Sequence, residues 1–272
     1  MEDTLRYEGT RVVVTGAASG MGAATASILT QLGAEVHGLD IQEGDGSLEA
    51  LHHCDLSDPD AINDLVGAIG PPIDSLFNCA GLPTTAPDRQ VMLVNFCGHR
   101  HLTEAVIPQM ANGGSIAFIS SVAGMGWIGN AAAMLAFVAE PDFAGGETWL
   151  DANPELWTGN GYQCSKEAIN AYVAWRGFQL APEGIRLNSL NPGPTDTPMM
   201  PAFIESQGQE FFDNFPKPIG RNSTAEEQAW PLVMLNSPRS SYVTATSVFA
   251  DGGFTGGLFT GGIDPALLMP PE

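Results

Sequence analysis

The sequence predicts one α/β domain whose parallel sheet is doubly wound, with helices on both faces. Three observations carry this. A β-branched strand runs through a glycine cluster into a helix; further short apolar runs end in polar loop residues; and a long helix carries a tyrosine one turn before a lysine. The chain has 272 residues and 44% apolar content, enough for one large core and cramped for two. Residues 1–272 are therefore read as a single unit. It has no internal repeat or linker.

The first strand is Arg11 to Thr15, RVVVT. The turn Gly16-Ala17-Ala18-Ser19-Gly20-Met21-Gly22 follows, and a helix is predicted from Ala23 to Leu32. Glycines let a backbone approach a pyrophosphate closely, and the free N–H groups and dipole of the following helix stabilise its charge. Gly16, Ser19, Gly20, Met21 and Gly22 are the candidate cradle. A second strand from Glu35 to Leu39 ends in Asp40, 18 residues beyond Gly22. A carboxylate there accepts the hydroxyls of an adenosine ribose and repels a 2′-phosphate, which selects NAD over NADP. Ile41-Gln42-Glu43-Gly44-Asp45 adds no arginine or lysine. The competing reading is a strand-ending carboxylate without a ligand.

His52-His53-Cys54-Asp55-Leu56 is read as the end of a third strand. Gly70-Pro71-Pro72 is a turn before a fourth, Ile73 to Asn78, and Cys79-Ala80-Gly81 opens a loop at its carboxyl end. In doubly wound sheets ligands lie at such carboxyl ends.

Gly161 to Leu180 has apolar residues at helical spacing (Ile169, Tyr172, Val173, Phe178) and no proline. Tyr162 and Lys166 therefore share a face. A free tyrosine has a pKa of about 10 and exchanges protons poorly near neutrality, unless a nearby positive charge stabilises its phenolate. Lys166, one of only two lysines in the chain, can supply that charge. Taken alone, the spacing also fits an exposed polar pair without chemistry.

The formal charge of −21, from 31 acidic and 10 basic residues, argues against nucleic acid or an anionic membrane as partner. The acidic start Met1-Glu2-Asp3-Thr4 lacks the pattern of a secretory signal, and no apolar run reaches membrane-spanning length. A soluble, cytoplasmic protein is expected. Cys54, Cys79, Cys97 and Cys164 are widely spaced and read as reduced thiols, with neither disulfide nor zinc. His52, His53, His99 and His101 stand at spacings that do not converge on one helix face, so they are read as surface histidines and no metal is expected.

In their order, TGAASGMG (Thr15 to Gly22), Asp55-Leu56, NCAG (Asn78 to Gly81), NFCG (Asn95 to Gly98), ISSVAG (Ile119 to Gly124), YQCSK (Tyr162 to Lys166), RLNSLNPGPTDTP (Arg186 to Pro198) and ADGG (Ala250 to Gly253) resemble the motifs of the short-chain dehydrogenase/reductase family along nearly the whole chain. One departure is Cys79, where the family usually has asparagine. The resemblance implies a Rossmann fold with a seven-stranded parallel sheet. It implies that Ser121 hydrogen-bonds a substrate oxygen, with Ser120 as the alternative. Tyr162 would exchange a proton with that oxygen, Lys166 would hold the nicotinamide ribose, and Asn95 would bend its helix around a water leading from Lys166 to solvent. It further implies that Asp55 and Leu56 meet the adenine, that Asn78, Ala80 and Gly81 line the adenosine side, and that Pro192, Thr195 and Thr197 line the nicotinamide end.

Tyr162 follows Ser121 by 41 positions, longer than in most simple family members. The extra segment, about 125–160, holds Trp127, Phe137, Phe143, Trp149 and Trp157. It is similar to the insertion of bacterial hydroxysteroid dehydrogenase/carbonyl reductases, which implies an altered subunit interface and a substrate wall including Trp157. A helical packing insert is the other reading. A second variable region, about 198–217, contains Met200 and Phe203 among other methionines and aromatic rings and has no basic residue before Lys217. It is expected to close over a bulky apolar alcohol or ketone. The glycine-rich segment from Phe254 to Gly262 is read as a pocket rim, a contact to a neighbouring subunit, or a frayed tail. The expected activity is NAD-dependent interconversion of a hydrophobic secondary alcohol and its ketone, a hydroxysteroid among the options, in a homodimer or homotetramer. Two alternatives stand beside it: another reaction on the same scaffold, epimerisation or a dehalogenase-like one, and an NAD(H)-sensing protein without turnover.

Overall fold

The computed structural model describes residues 4–44, 46, 48 and 50–268, so Met1 to Asp3 and Asp45 lie outside the described residues. In chain order it runs β1 (Arg11–Thr15), α1 (Gly20–Gln31), β2 (Glu35–Asp40), β3 (Ala50–His53), α2 (Pro59–Ile69), β4 (Ile73–Asn78) and α3 (Asp88–Met92). A π-helical turn, Leu93–Gly98, leads into α4 (His99–Val106) and β5 (Met110–Ile119). Then come α5 (Ala131–Val138), α6 (Phe143–Ala152), α7 (Gly161–Leu180), β6 (Arg186–Pro192), β7 (Thr195–Asp196), α8 (Met200–Gln207) and α9 (Gln209–Asn214). The last elements are β8 (Ser223–Thr224), α10 (Ala225–Asn236), β9 (Ser247–Ala250) and α11 (Phe254–Phe259). Two boundaries differ from the sequence reading. The first helix starts at the glycines themselves, and the third strand stops at His53, so Cys54 to Leu56 form the loop beyond it.

Seven parallel strands order as β3-β2-β1-β4-β5-β6-β9. The order reverses between β1 and β4, which opens a crevice above their carboxyl ends. The uninterrupted valines of β1 fit this central place, because a strand covered on both faces has no polar side. Val13 enters the core under α2, α4 and α7, whereas Val12 and Val14 enter the core under α1 and α10. All three are fully buried. Period-two alternation thus feeds two cores from one strand.

The helix of Tyr162 and Lys166 spans the residues expected, Gly161–Leu180. Ile169, Tyr172 and Val173 are buried, but Phe178 points outward and is 76% exposed.

The inserted segment packs as helices. Phe137 of α5 stacks on Trp149 of α6 with ring centroids 4.3 Å apart, and lies 4.8 Å from Phe96 in the π turn. Arg100 of α4 is buried beneath it and donates to the Asp142 carbonyl. Trp157 corrects the sequence reading of a substrate wall. Its indole N–H is held by the Leu150 carbonyl, and its ring belongs to the main core with Phe137 and Trp149. The large ring found more contact area inside the insertion than at its rim.

The C-terminal segment is docked. Phe254 is buried and packs 4.7 Å from Phe215, in a small cluster with Ile263, Phe211, Val122 and Met125. Cys54, Cys79, Cys97 and Cys164 are free thiols.

Candidate active site

The cradle is built by steric necessity. A Cβ on Gly16 would sit 2.8 Å from the Ala80 Cα, and one on Gly22 would sit 2.1 Å from the Gly16 carbonyl oxygen. Gly16 and Gly20 also adopt positive φ, +67° and +56°. Ser19 precedes α1 without capping it by its side chain, and the first turn of α1 carries no acidic residue. Its leading N–H groups are therefore free to meet an anion.

At the end of β2, Asp40 accepts the N–H groups of Ala18 and Gln42, each at 3.0 Å, one on each carboxylate oxygen. These bonds fix the carboxylate toward the glycine turn and leave it lone pairs for hydroxyl donors. Beside it opens a cavity of about 310 Å³ whose lining includes Ala18, Gln42, Glu43 and His53, with no lysine or arginine among the described residues. Ile41 is exposed at its edge of the loop. This donor and acceptor set fits a nicotinamide dinucleotide.

The other expected cofactor contacts fall into two groups. Thr15, at the end of β1, accepts the N–H groups of Cys79 and Ala80 and so holds the loop containing Gly81 against the glycine turn. Thr197 approaches Gly20 from the far side. Four residues are more deeply engaged than the sequence implied. Asp55 accepts both the N–H and the hydroxyl of Ser57, and Leu56 is buried with its carbonyl against Gly98. Asn78 is buried and donates to Thr103, and Thr195 is buried, bonded to Ser223 beside the buried end of β6 at Pro192. The Leu56 side chain belongs to the core.

Asn95, Ser121, Tyr162 and Lys166 come together from three segments: the π turn, the end of β5 and α7. Asn95 sits in the π turn and grips Leu82 by both backbone groups, accepting its N–H at 2.7 Å and donating to its carbonyl at 3.1 Å. The Ser121 oxygen accepts the Ala123 N–H, and its hydroxyl lies against the Tyr162 phenol, where the hydrogen bond lowers the phenol's pKa. Ser120 is buried and donates to the Lys166 carbonyl, so it braces the helix. The Lys166 ammonium donates to the Ile119 carbonyl at 2.9 Å and lies 5.5 Å from the centre of the Tyr162 ring. Phe203 of α8 meets that ring edge-on at 5.0 Å, while Met200 opens the same helix, half-buried. The helix carrying the pair is anchored at its start, where the Asp88 carboxylate accepts the N–H groups of Gly159 and Gly161.

Burial decides the protonation states. It pushes Tyr162 up to about 12 against the Ser121 bond, and Lys166 down to about 8. Burial outweighs the Ser121 hydrogen bond at the phenol, and the Lys166 ammonium is turned to the Ile119 carbonyl. At neutral pH the pair is thus a protonated phenol beside a charged ammonium, which suits proton donation to a carbonyl oxygen. The ketone-reducing rate is expected to stay level below about pH 8 and to fall above it as Lys166 loses its charge. A pH series at saturating cofactor checks this, and a rate that rises through that range contradicts it.

His99 overturns the surface reading of the histidines. It is 1% exposed and bonded at both ring nitrogens, with its pKa driven to about 3 by burial. Its place on one helix face with Phe96, Leu102 and Val106 was the available signal.

Fold, cradle and tyrosine–lysine pair define a nicotinamide-type oxidoreductase scaffold, and the chain belongs to the short-chain dehydrogenase/reductase family. Family models described as short chain dehydrogenase and as Enoyl-(Acyl carrier protein) reductase match residues 10–133 and 150–255. The chain is 34% identical over 247 residues to a coniferyl-alcohol dehydrogenase of Pseudomonas sp. strain HR199, covering 89% of this chain and 95% of that one. It is 32% identical over 258 residues to the 3-alpha-hydroxysteroid dehydrogenase/carbonyl reductase of Comamonas testosteroni, with the same coverage. Among solved structures it is similar to the 3-alpha-hydroxysteroid dehydrogenase from Pseudomonas sp. B-0831 complexed with NADH. There the TM-score is 0.78 at 26% identity, covering 94% of this chain and all of that one. The chain is an oxidoreductase scaffold of the kind that acts on alcohols and ketones. No helix among the described residues is long and apolar enough to cross a membrane.

Proposed function

We propose that this protein interconverts a hydrophobic secondary alcohol and its ketone with NAD as cofactor. The observation that carries the reading is the Ser121 hydroxyl against the Tyr162 phenol, with Lys166 one helical turn away. Gly16, Ser19, Gly20, Met21 and Gly22 would hold the pyrophosphate; Asp40, Ile41, Asp55, Leu56, Asn78, Ala80 and Gly81 the adenosine half; Lys166, Pro192, Thr195 and Thr197 the nicotinamide half. When bound, the nicotinamide supplies a hydride acceptor or donor. The protein's own work is at the carbinol oxygen. Ser121 donates to it and fixes its direction, and Tyr162 gives it a proton in reduction and takes one in oxidation. Lys166 holds positive charge beside the phenol, and Asn95 keeps the Leu82 loop and the π turn in register with it.

Met200 and Phe203, within the segment 198–217, would form the substrate side of the site with Ser121 and Tyr162. A hydroxysteroid suits this apolar wall. An aromatic alcohol is the second reading, favoured by the likeness to the coniferyl-alcohol dehydrogenase. Assembly as a homodimer or homotetramer and a cytoplasmic location are part of the proposal. A panel of steroid, terpenoid and aromatic alcohols, followed by the absorbance of reduced nicotinamide, tests it. No turnover across the panel despite tight NADH binding would leave a sensor instead.

The preference for NAD rests on Asp40 and the lining without lysine or arginine beside it. A like charge at a 2′-phosphate is costly, so kcat/KM is expected to favour NAD by roughly 100-fold. The Asp40→Ser variant should narrow that ratio. Equal specificity constants in the parent protein sink the assignment.

A further inference from the structure

His99 links the two halves of the site through a network whose proton positions follow from counting. The Thr15 hydroxyl oxygen accepts the N–H of Cys79 at 2.9 Å and of Ala80 at 3.0 Å. A hydroxyl has two lone pairs and one hydrogen. Both lone pairs are taken, so the third contact, 3.0 Å to His99 Nε2, is the O–H donating to the ring. A neutral imidazole that accepts at Nε2 carries its hydrogen on Nδ1. That hydrogen points to the Asn95 carbonyl, 3.2 Å away. One tautomer satisfies every partner. Thr15 and Asn95 are fully buried, and the ring is held edge-on by Phe118 at 6.2 Å, so the geometry has little room to relax.

The two ends lead to different functions. Thr15 sits directly before the glycine turn and holds the loop of Cys79 and Ala80, on the adenosine side. Asn95 lies in the π turn, and its amide grips Leu82 and reaches toward Ser165, the neighbour of Lys166. We infer that His99 is a positioning residue that couples the cofactor loop to the proton-handling side, holding the Thr15 hydroxyl with Nε2 and the Asn95 carbonyl with Nδ1–H. This rests on the oxidoreductase reading above.

Two substitutions separate the halves. The amide nitrogen of His99→Asn takes the place of Nδ1, so it keeps the donor to Asn95 and loses the Thr15 partner. His99→Gln reaches the place of Nε2, so it keeps Thr15 and loses the donor to Asn95. NADH Kd by fluorescence and kcat at saturating cofactor are measured for both, with a melting curve for each. A buried hydrogen bond of ordinary strength predicts a NADH Kd weakened about tenfold in His99→Asn with kcat within about twofold of the parent. The reverse is expected in His99→Gln, kcat lower by about tenfold with Kd within about twofold. A role confined to packing moves Kd and kcat in the same proportion in both variants, or lowers only the melting temperature, and either result overturns the inference. If the parent binds NADH but turns over nothing, the enzyme reading fails by itself. The Kd pair then still decides: weakening in His99→Asn alone sustains the cofactor half, and equal values overturn it.

Discussion

Tyr162→Phe is expected to lower kcat in both directions by roughly 100- to 10,000-fold while leaving NADH binding within about twofold. The substitution removes the phenol hydroxyl to which the proposal assigns proton exchange with a carbinol oxygen. It keeps the ring that packs edge-on against Phe203 and beneath the Lys166 ammonium, so the fold around it has no reason to change. Ser121 loses the phenol as partner but keeps the Ala123 N–H, and so stays oriented. The residual rate reports what orientation and the Ser121 hydroxyl achieve without a proton carrier. Steady-state kinetics beside a fluorescence titration separate the two quantities. Parent-like turnover in the variant would show that another group carries the proton.

Gly22→Ala is the second large effect. One methyl group would lie 2.1 Å from the Gly16 carbonyl oxygen and 2.9 Å from the Thr15 carbonyl, both backbone atoms of the cradle. Neither can rotate away, so α1 must move off the glycine turn or the turn must open. Overpacking of this kind costs about 1–3 kcal/mol, which predicts a loss of NADH affinity of roughly 10- to 100-fold. Ala24 tests the explanation. It lies on the same helix and is half-buried. Ala24→Ser should leave affinity near the parent value, and if both variants weaken binding alike, general damage to α1 replaces the close-approach argument.

Much of this site was legible before any coordinates, for local reasons. Glycines that admit no Cβ, a carboxylate closing β2 and a tyrosine four positions before a lysine are features whose geometry is set within a few residues. The strand–turn–helix and the long helix of Tyr162 and Lys166 were therefore legible in one dimension. The same holds for β4 and the loop behind it.

Histidine 99 and tryptophan 157 show where that reach ends. Two histidines at i and i+2 do not share a helix face, which is true, but the partners of His99 are Thr15, 84 positions away, and the Asn95 carbonyl within a π turn. The widened turn is also not visible in residue types. Trp157 stood beside the tyrosine in sequence and was read as a wall, whereas its indole N–H needed a buried acceptor and found the Leu150 carbonyl. Lys166 was expected to acidify the phenol from one turn away; burial instead raises the phenol, and the ammonium donates to the Ile119 carbonyl. The chain's linear pattern alone determined the sheet class, the glycine turn and the placing of Tyr162 and Lys166 one turn apart on a single helix, because these depend on backbone sterics and short-range spacing. Only the tertiary structure decided which polar groups are dry, what they face and which proton each holds, because desolvation and hydrogen-bond partners come from segments far apart along the chain.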